Sequence, residues 1–166
     1  IKDKKVLYYF FCLYICLKII KMFSKACEYA IKASIFIACK SLNDERVGLL
    51  EIAEEIDSPV SFTAKILQTL VKHQIIDSVK GPHGGFGIKK PDISKLKLSK
   101  VVAAIDGDAV FKGCGLGFHH CNEKKPCSIH NRFKVVRNEL KHMLENTTLL
   151  ELSEDIKNGK SFLVCN

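Results

Sequence analysis

From Ser24 onward apolar residues recur at helical spacing: Ala26, Ala30, Ala33 and Ile37 follow one another at i+4, i+3 and i+4, with Lys25, Glu28 and Lys32 beside them. The pair Asn43-Asp44 interrupts this helix. Leu49, Ile52, Ala53 and Ile56 fit i, i+3, i+4, i+7 and predict a second, shorter one. Ser58 followed by Pro59 is a helix-start signal, an N-cap hydroxyl before a proline at the first helical position. The helix it opens carries Phe62, Ile66 and Leu70 as its apolar stripe and leaves Lys65, Thr69 and Lys72 for solvent or a partner.

The period then changes to two. Ile75, Asp77 and Val79 alternate with Ile76, Ser78 and Lys80, which predicts a strand, and Phe86-Gly87-Ile88 is expected to return beside it. The intervening Gly81-Pro82-His83-Gly84-Gly85 is turn chemistry and closes a hairpin. It is not a phosphate loop, because neither G-x-x-x-x-G-K-[ST] nor G-x-G-x-x-G occurs in it. Beyond Pro91 a helix with Leu98, Val101, Val102 and Ile105 is bounded by Ser99 as cap and Gly107 as terminator. A longer helix from about Ser128 to Asn146, roughly 28 Å at 1.5 Å per residue, presents Phe133, Val136, Leu140, Met143 and Leu144. That stripe packs either on its own domain or on a second copy of the chain.

Two short helices followed by a glycine-tipped hairpin make a winged helix-turn-helix, in which the second helix enters the major groove of duplex DNA. The expected fold is mainly α with a small β-hairpin. It divides into a leader over residues 1–21, a DNA-binding domain over 22–90, and a cysteine loop with dimerisation helices over 91–166. The residues expected at the DNA are Ser58, Ser61, Lys65, Lys80, His83 and Gly84. Between Lys65 and Lys90 five lysines stand against one acid, Asp77, so this surface is positive.

Composition adds compartment and ligands. The 166 residues are 47% hydrophobic, enough for a real core, and the formal charge is +8. Residues 1–21 hold five lysines and one aspartate, so half of the excess lies in the leader. Its apolar run Val6–Leu17 spans roughly 18 Å as a helix, short of a hydrocarbon core of roughly 30 Å. No membrane association is expected. Because the first methionine is Met22, residues 1–21 read as translated from upstream of the start, with a peripheral membrane or partner-binding segment as the alternative.

Of the eight cysteines, Cys27 and Cys39 sit in an apolar helix and read as small buried hydrophobes, and Cys165 has no expected structural role. The rest of the interest lies in one window, where Cys114, His119, His120, Cys121, Cys127 and His130 fall within 17 residues. Clustered rather than paired cysteines argue for a reducing cytoplasm instead of a disulfide scaffold. Thiolate and imidazole hold zinc or iron-sulfur clusters, so a metal centre is expected from Cys114-x6-Cys121-x5-Cys127-x2-His130. A metal-free redox loop and inert thiols remain as alternatives. An enzyme is not expected and no catalytic residue is assigned, since no activated nucleophile or carboxylate pair accompanies the loop.

Tyr29-Ala30, Ile52-Ala53-Glu54, the stretch Ser58 to Leu70 and above all Ser78-Val79-Lys80-Gly81-Pro82-His83-Gly84-Gly85-Phe86 resemble the Rrf family of bacterial winged-helix regulators, with its IscR-, NsrR- and CymR-like members. The resemblance continues through Val101 to Gly107, the three cysteines and Thr147 to Leu152, and covers Met22 to about Leu152. It implies a homodimeric transcription regulator, usually a repressor, on an imperfect palindrome. Cys114, Cys121 and Cys127 fall where many members ligate an iron-sulfur cluster. His130 matches the histidine ligand of IscR-like members, and Glu28 falls where NsrR-like members supply an acidic ligand from the other subunit, so two-iron and four-iron clusters are both open. A structural zinc site and a cluster-free regulator sensing thiols or a small molecule are the alternatives. Thr63-Ala64 replaces a Leu-Glu pair of IscR-like members, and Lys80 replaces the usual wing arginine, keeping the charge and losing the bidentate fork.

Overall fold

The computed structural model describes residues 22–114 and 123–163. The expectations for residues 1–21, His119, His120, Cys121 and Cys165 lie outside the described residues. Helix α1 (Lys25–Ser41) is capped by Ser24, whose Oγ accepts from the Cys27 N–H at 3.1 Å. Every residue from Ala33 to Ala38 is buried, so the expected single stripe broadens into a helix enclosed on all sides at its middle. It packs against α2 (Leu49–Glu55), α3 (Val60–Lys72), α5 (Leu98–Asp106) and α8 (Leu149–Lys157). Truncating a side chain there, such as the fully buried Ile37, to alanine costs about 2–5 kcal/mol.

The hairpin forms as expected, though shorter. Strand β1 (Asp77–Val79) pairs antiparallel with β2 (Gly85–Gly87), Ser78 opposite Phe86. Ile75 and Ile76 do not alternate in and out; both are buried where the chain leaves α3. A third partner was not anticipated. Val47 exchanges two backbone hydrogen bonds with Phe86, at 3.0 and 2.9 Å, and so fastens the hairpin to the connection between α1 and α2. The last residue of α1 ties it in as well, because the Ile88 N–H donates to the buried Ser41 Oγ at 3.0 Å.

A single turn, α4 (Lys90–Ile93), leads into α5, which begins at Leu98 rather than at a Ser99 cap. The reason is non-local. The Leu98 N–H donates to the Thr147 carbonyl at 3.0 Å and the Leu149 N–H to the Leu96 carbonyl at 2.9 Å, so a distant segment satisfies the orphan donor of the first helical residue and lets α5 start there. Gly107 ends α5 at φ 67°, as expected of a terminator. A short α6 (Ala109–Lys112) follows, and the chain returns as α7 (His130–Asn146), which packs on α5 and α6. Only His130 and Leu144 of α7 are buried, and Val135, Val136 and Met143 are exposed. Among the described residues no helix is long and apolar enough to cross a membrane.

Candidate functional site

The turn between α2 and α3 orients the exposed helix. Asp57 closes α2 in the left-handed region at φ 50°, with the Ser58 N–H bonded back to the Ala53 carbonyl at 2.9 Å. That bond commits Ser58 to the end of α2, so α3 starts one residue later than expected, after Pro59. The Ser58 hydroxyl is not the cap; its oxygen is buried and has no hydrogen-bond partner among the described residues. The core stripe of α3 is Thr63, Ile66, Leu67 and Leu70. Thr63 can be buried because its hydroxyl donates to the Pro59 carbonyl at 3.1 Å. Phe62, expected inside, is instead exposed and meets the Tyr29 ring edge-on at 5.9 Å between centroids.

The opposite face carries Ser61, Lys65, Gln68 and Lys72, all exposed and spaced i, i+4, i+7, i+11. Gln68 was missed by sequence reasoning. A partner-facing polar residue on a helix has no signal distinct from a solvated one, although glutamine is a side chain suited to bidentate contact with adenine. The hairpin tip, from Lys80 to His83, is also exposed. Its shape is set by backbone: the Gly84 N–H donates to the Gly81 carbonyl at 2.9 Å, and a Cβ at Gly84 would overlap the Val79 carbonyl oxygen. At the base, Arg46 pairs with Asp77 at 2.5 Å and donates to the Gly85 carbonyl at 3.1 Å. Lys90 is bonded to Asp44 at 2.6 Å, so it drops out of the surface charge. Lys65, Lys72, Lys80 and Lys89 make no ion pair among the described residues.

Along the sequence the cysteine window falls between α6 and α7. Its approach is anchored: the Ser24 N–H and hydroxyl both donate to the Asp106 carboxylate, the first at 2.9 Å. Arg137 of α7 reaches back to donate to the Gly113 carbonyl at 2.9 Å, next to half-buried Cys114. On the far side the His130 N–H donates to the Cys127 carbonyl at 3.0 Å, which puts Cys127 in the turn that opens α7 and buries His130 at its first residue. Glu123 is held to Lys134 at 2.6 Å, and that ammonium keeps its carboxyl below the usual range. Glu28 lies in the first turn of α1, 2.8 Å from Lys25. Among the described residues no three Cys, His, Asp or Glu side chains assemble as a metal site, and Cys121 is not one of those residues.

Cys27 and Cys39 fit their expected structural role. Burial, reinforced by the Asp106 carboxylate, pushes the Cys27 thiol up to about 12. Cys39, raised chiefly by burial, donates to the Ser153 carbonyl at 3.8 Å.

Residues 23–155 match the Rrf2 family, described as an iron-dependent transcriptional regulator. A candidate HTH-type transcriptional regulator of Aquifex aeolicus is 30% identical over 134 residues, spanning 79% of this chain and 90% of that protein. The HTH-type transcriptional regulator IscR of Yersinia pseudotuberculosis is 29% identical over 125 residues, 75% of this chain and 74% of its own length. Among solved structures, CymR, the global cysteine regulator of B. subtilis, superposes with a TM-score of 0.66 at 16% identity, over 79% of this chain and 95% of its own. The IscR of T. potens does so at 0.64 and 16%, over 83% and 90%. With an exposed helix and wing on a shared fold and a match that runs from the cap of α1 into α8, the chain belongs to the Rrf2 family of DNA-binding transcriptional regulators.

Proposed function

We propose that this regulator works in the cytoplasm as a homodimer on an imperfect palindrome, that it acts as a repressor, and that an iron-sulfur cluster on the three-cysteine loop sets its operator affinity. Residues 22–90 form the reading unit and 91–166 the sensing and dimerisation unit. Ser61 and Gln68 face base edges from α3, while Lys65 of the same helix and Lys80, His83 and the Gly84 backbone of the wing meet phosphates, with Ser58 placing the start of α3.

One observation supports the control in particular: both ends of the cysteine loop are fastened to α7, by Arg137 on the Cys114 side and by the Cys127–His130 turn on the other. The donor set fits the group, since thiolates with one imidazole or carboxylate suit iron-sulfur and zinc alike. Between Lys112 and Arg137 the sequence has six Lys or Arg against one acid, Glu123, so the charge of three thiolates would be offset locally. Cys114, Cys121 and Cys127 would hold the cluster, with His130 as fourth ligand in preference to Glu28 of a second subunit. When bound, it supplies a centre sensitive to oxygen, nitric oxide or iron shortage. The chain's part is mechanical: an ordered loop braces α6 against α7, and a loosened one releases that brace.

Anaerobic purification, with visible absorption, iron and sulfide assays and an operator titration, tests the reading. Colour, iron and sulfide that disappear in Cys121→Ala together with a change in operator affinity are expected. A colourless protein with tight zinc, or affinity indifferent to Cys121, overturns it. Retention of the cluster in His130→Ala and its loss in Glu28→Ala would move the fourth ligand to the second subunit.

A further inference from the structure

At the base of the wing, past the C-terminal end of α3, lies a cleft of about 680 Å³. That is within the range of roughly 300–1,000 Å³ usual for small-molecule sites. Its walls come from three parts of the fold: the end of α3, the base of the hairpin, and the segment from α4 into α5. The apolar part is supplied by Val71, Ile75, Ile76, Ile88 and Leu96. Around it stand three ammonium groups, Lys89, Lys95 and Lys100, with the polar side chains of Gln74 and Ser78. None of the three lysines makes an ion pair among the described residues. Two carboxylates also line the cleft, but Asp77 is engaged by Arg46, which leaves Asp92 facing three cations.

A second feature marks the same wall. Gln74 holds φ 55°, in the left-handed region, at the position just past α3 where the N–H groups of Gln74 and Ile75 bond back to Val71 and Leu70 at 2.9 and 3.0 Å. Glycine or asparagine fills that position most cheaply. A longer side chain kept there at a conformational cost, and set in a cleft wall, points to use.

We propose that this cleft binds a small organic carboxylate with an apolar body, the carboxylate held by Lys95 and Lys100 and the body against Ile75, Ile88 and Leu96. Three ammonium groups against Asp92 leave a modest surplus of positive charge beside an apolar wall, which suits a monoanion with an apolar body better than a multiply charged phosphate. An occupant touches the reading helix, the wing and the connector at once. The site is independent of the proposed cluster, and its test does not involve iron or DNA.

The full chain, labelled with nitrogen-15, would be titrated with 4-phenylbutyrate, with its neutral amide and with inorganic phosphate. The acid should shift the backbone amides of residues 74–78 and 95–100, saturating below about 10 mM, a weak affinity in keeping with a minimal probe. The neutral amide and phosphate should leave these resonances in place. Lys95→Gln/Lys100→Gln, both exposed positions, should weaken binding about tenfold, as expected for lost charge-assisted hydrogen bonds. Gln74→Gly should raise thermal stability by relieving the backbone and yet weaken binding about threefold, because the Gln74 side-chain amide, also in the cleft wall, donates to the edge of the same carboxylate. No shift with the acid, equal shifts with the neutral amide, shifts confined to the exposed apolar face of α7, or undiminished binding in either variant would overturn the proposal.

Discussion

At the residue scale the wing base is the least forgiving part of the reading unit. Gly85 has φ 134°, and a Cβ there would stand 2.8 Å from the Val47 carbonyl oxygen. Gly85→Ala must therefore push the hairpin off Val47, and urea denaturation should show a loss of about 1–3 kcal/mol. Cys27 makes a pH prediction. Its thiol rises from the ordinary 9.0 to about 12 on folding, because burial and Asp106 oppose the thiolate. Above pH 9 the unfolded chain sheds this proton while the folded chain keeps it, so its contribution is whole below 9 and is lost as pH climbs toward 12. Cys27→Ala should flatten that alkaline decline in stability, measured by denaturation at stepped pH.

At the element scale α7 is the helix with an unfinished surface, since Val135, Val136 and Met143 are exposed in the single chain. If the second copy covers them, Val136→Asp should shift the protein toward monomer in sedimentation equilibrium while its helical content stays unchanged. Elements were legible in the sequence wherever local chemistry sets them. The start of α1 near Ser24, the Gly-Pro-His-Gly-Gly turn and the terminator Gly107 are all set within a few residues. What failed to show was set from a distance: Val47 gains a strand partner in Phe86, and the Thr147 carbonyl holds the Leu98 N–H at the start of α5. Phe62 lost its expected core position to Thr63 because a shorter, internally bonded side chain fits the enclosed face. One local signal was overlooked. Thr148-x-x-Glu151 is a reciprocal capping box that opens α8, with Thr148 N–H to Glu151 at 2.7 Å and Glu151 N–H to Thr148 Oγ at 3.1 Å.

At the scale of the whole molecule, the exposed lysines set the salt response. In the proposed homodimer, Lys65, Lys72 and Lys80 of the two subunits would neutralise about six phosphates, hence a slope of log K against log salt of roughly −5. Lys80→Ala should reduce that slope and weaken specific and nonspecific sites alike, whereas Ser61→Ala or Gln68→Ala should alter site preference at nearly constant slope. Fluorescence anisotropy over a salt series measures both. Of the candidate loop, only the donor types and their order were legible, and that they hold a metal is our proposal. The bracing of the loop against α7 was not legible, since Arg137 and Gly113 are ordinary residues until the chain brings them together.

Helix α1 also joins the two halves of the molecule mechanically. Ser24 clasps Asp106 at one end, on the threshold of the cysteine loop, and at the other end Ser41 holds Ile88 just beyond β2. Seventeen residues separate the loop's doorstep from the wing's root, and an enclosed helix of that length is a stiff rod of about 26 Å. A rod pinned at both ends passes on rotation without bending. A tilt of about 5° at the Asp106 end moves the far end by about 2 Å at that length, comparable to the clearance that decides whether a wing lysine reaches a phosphate.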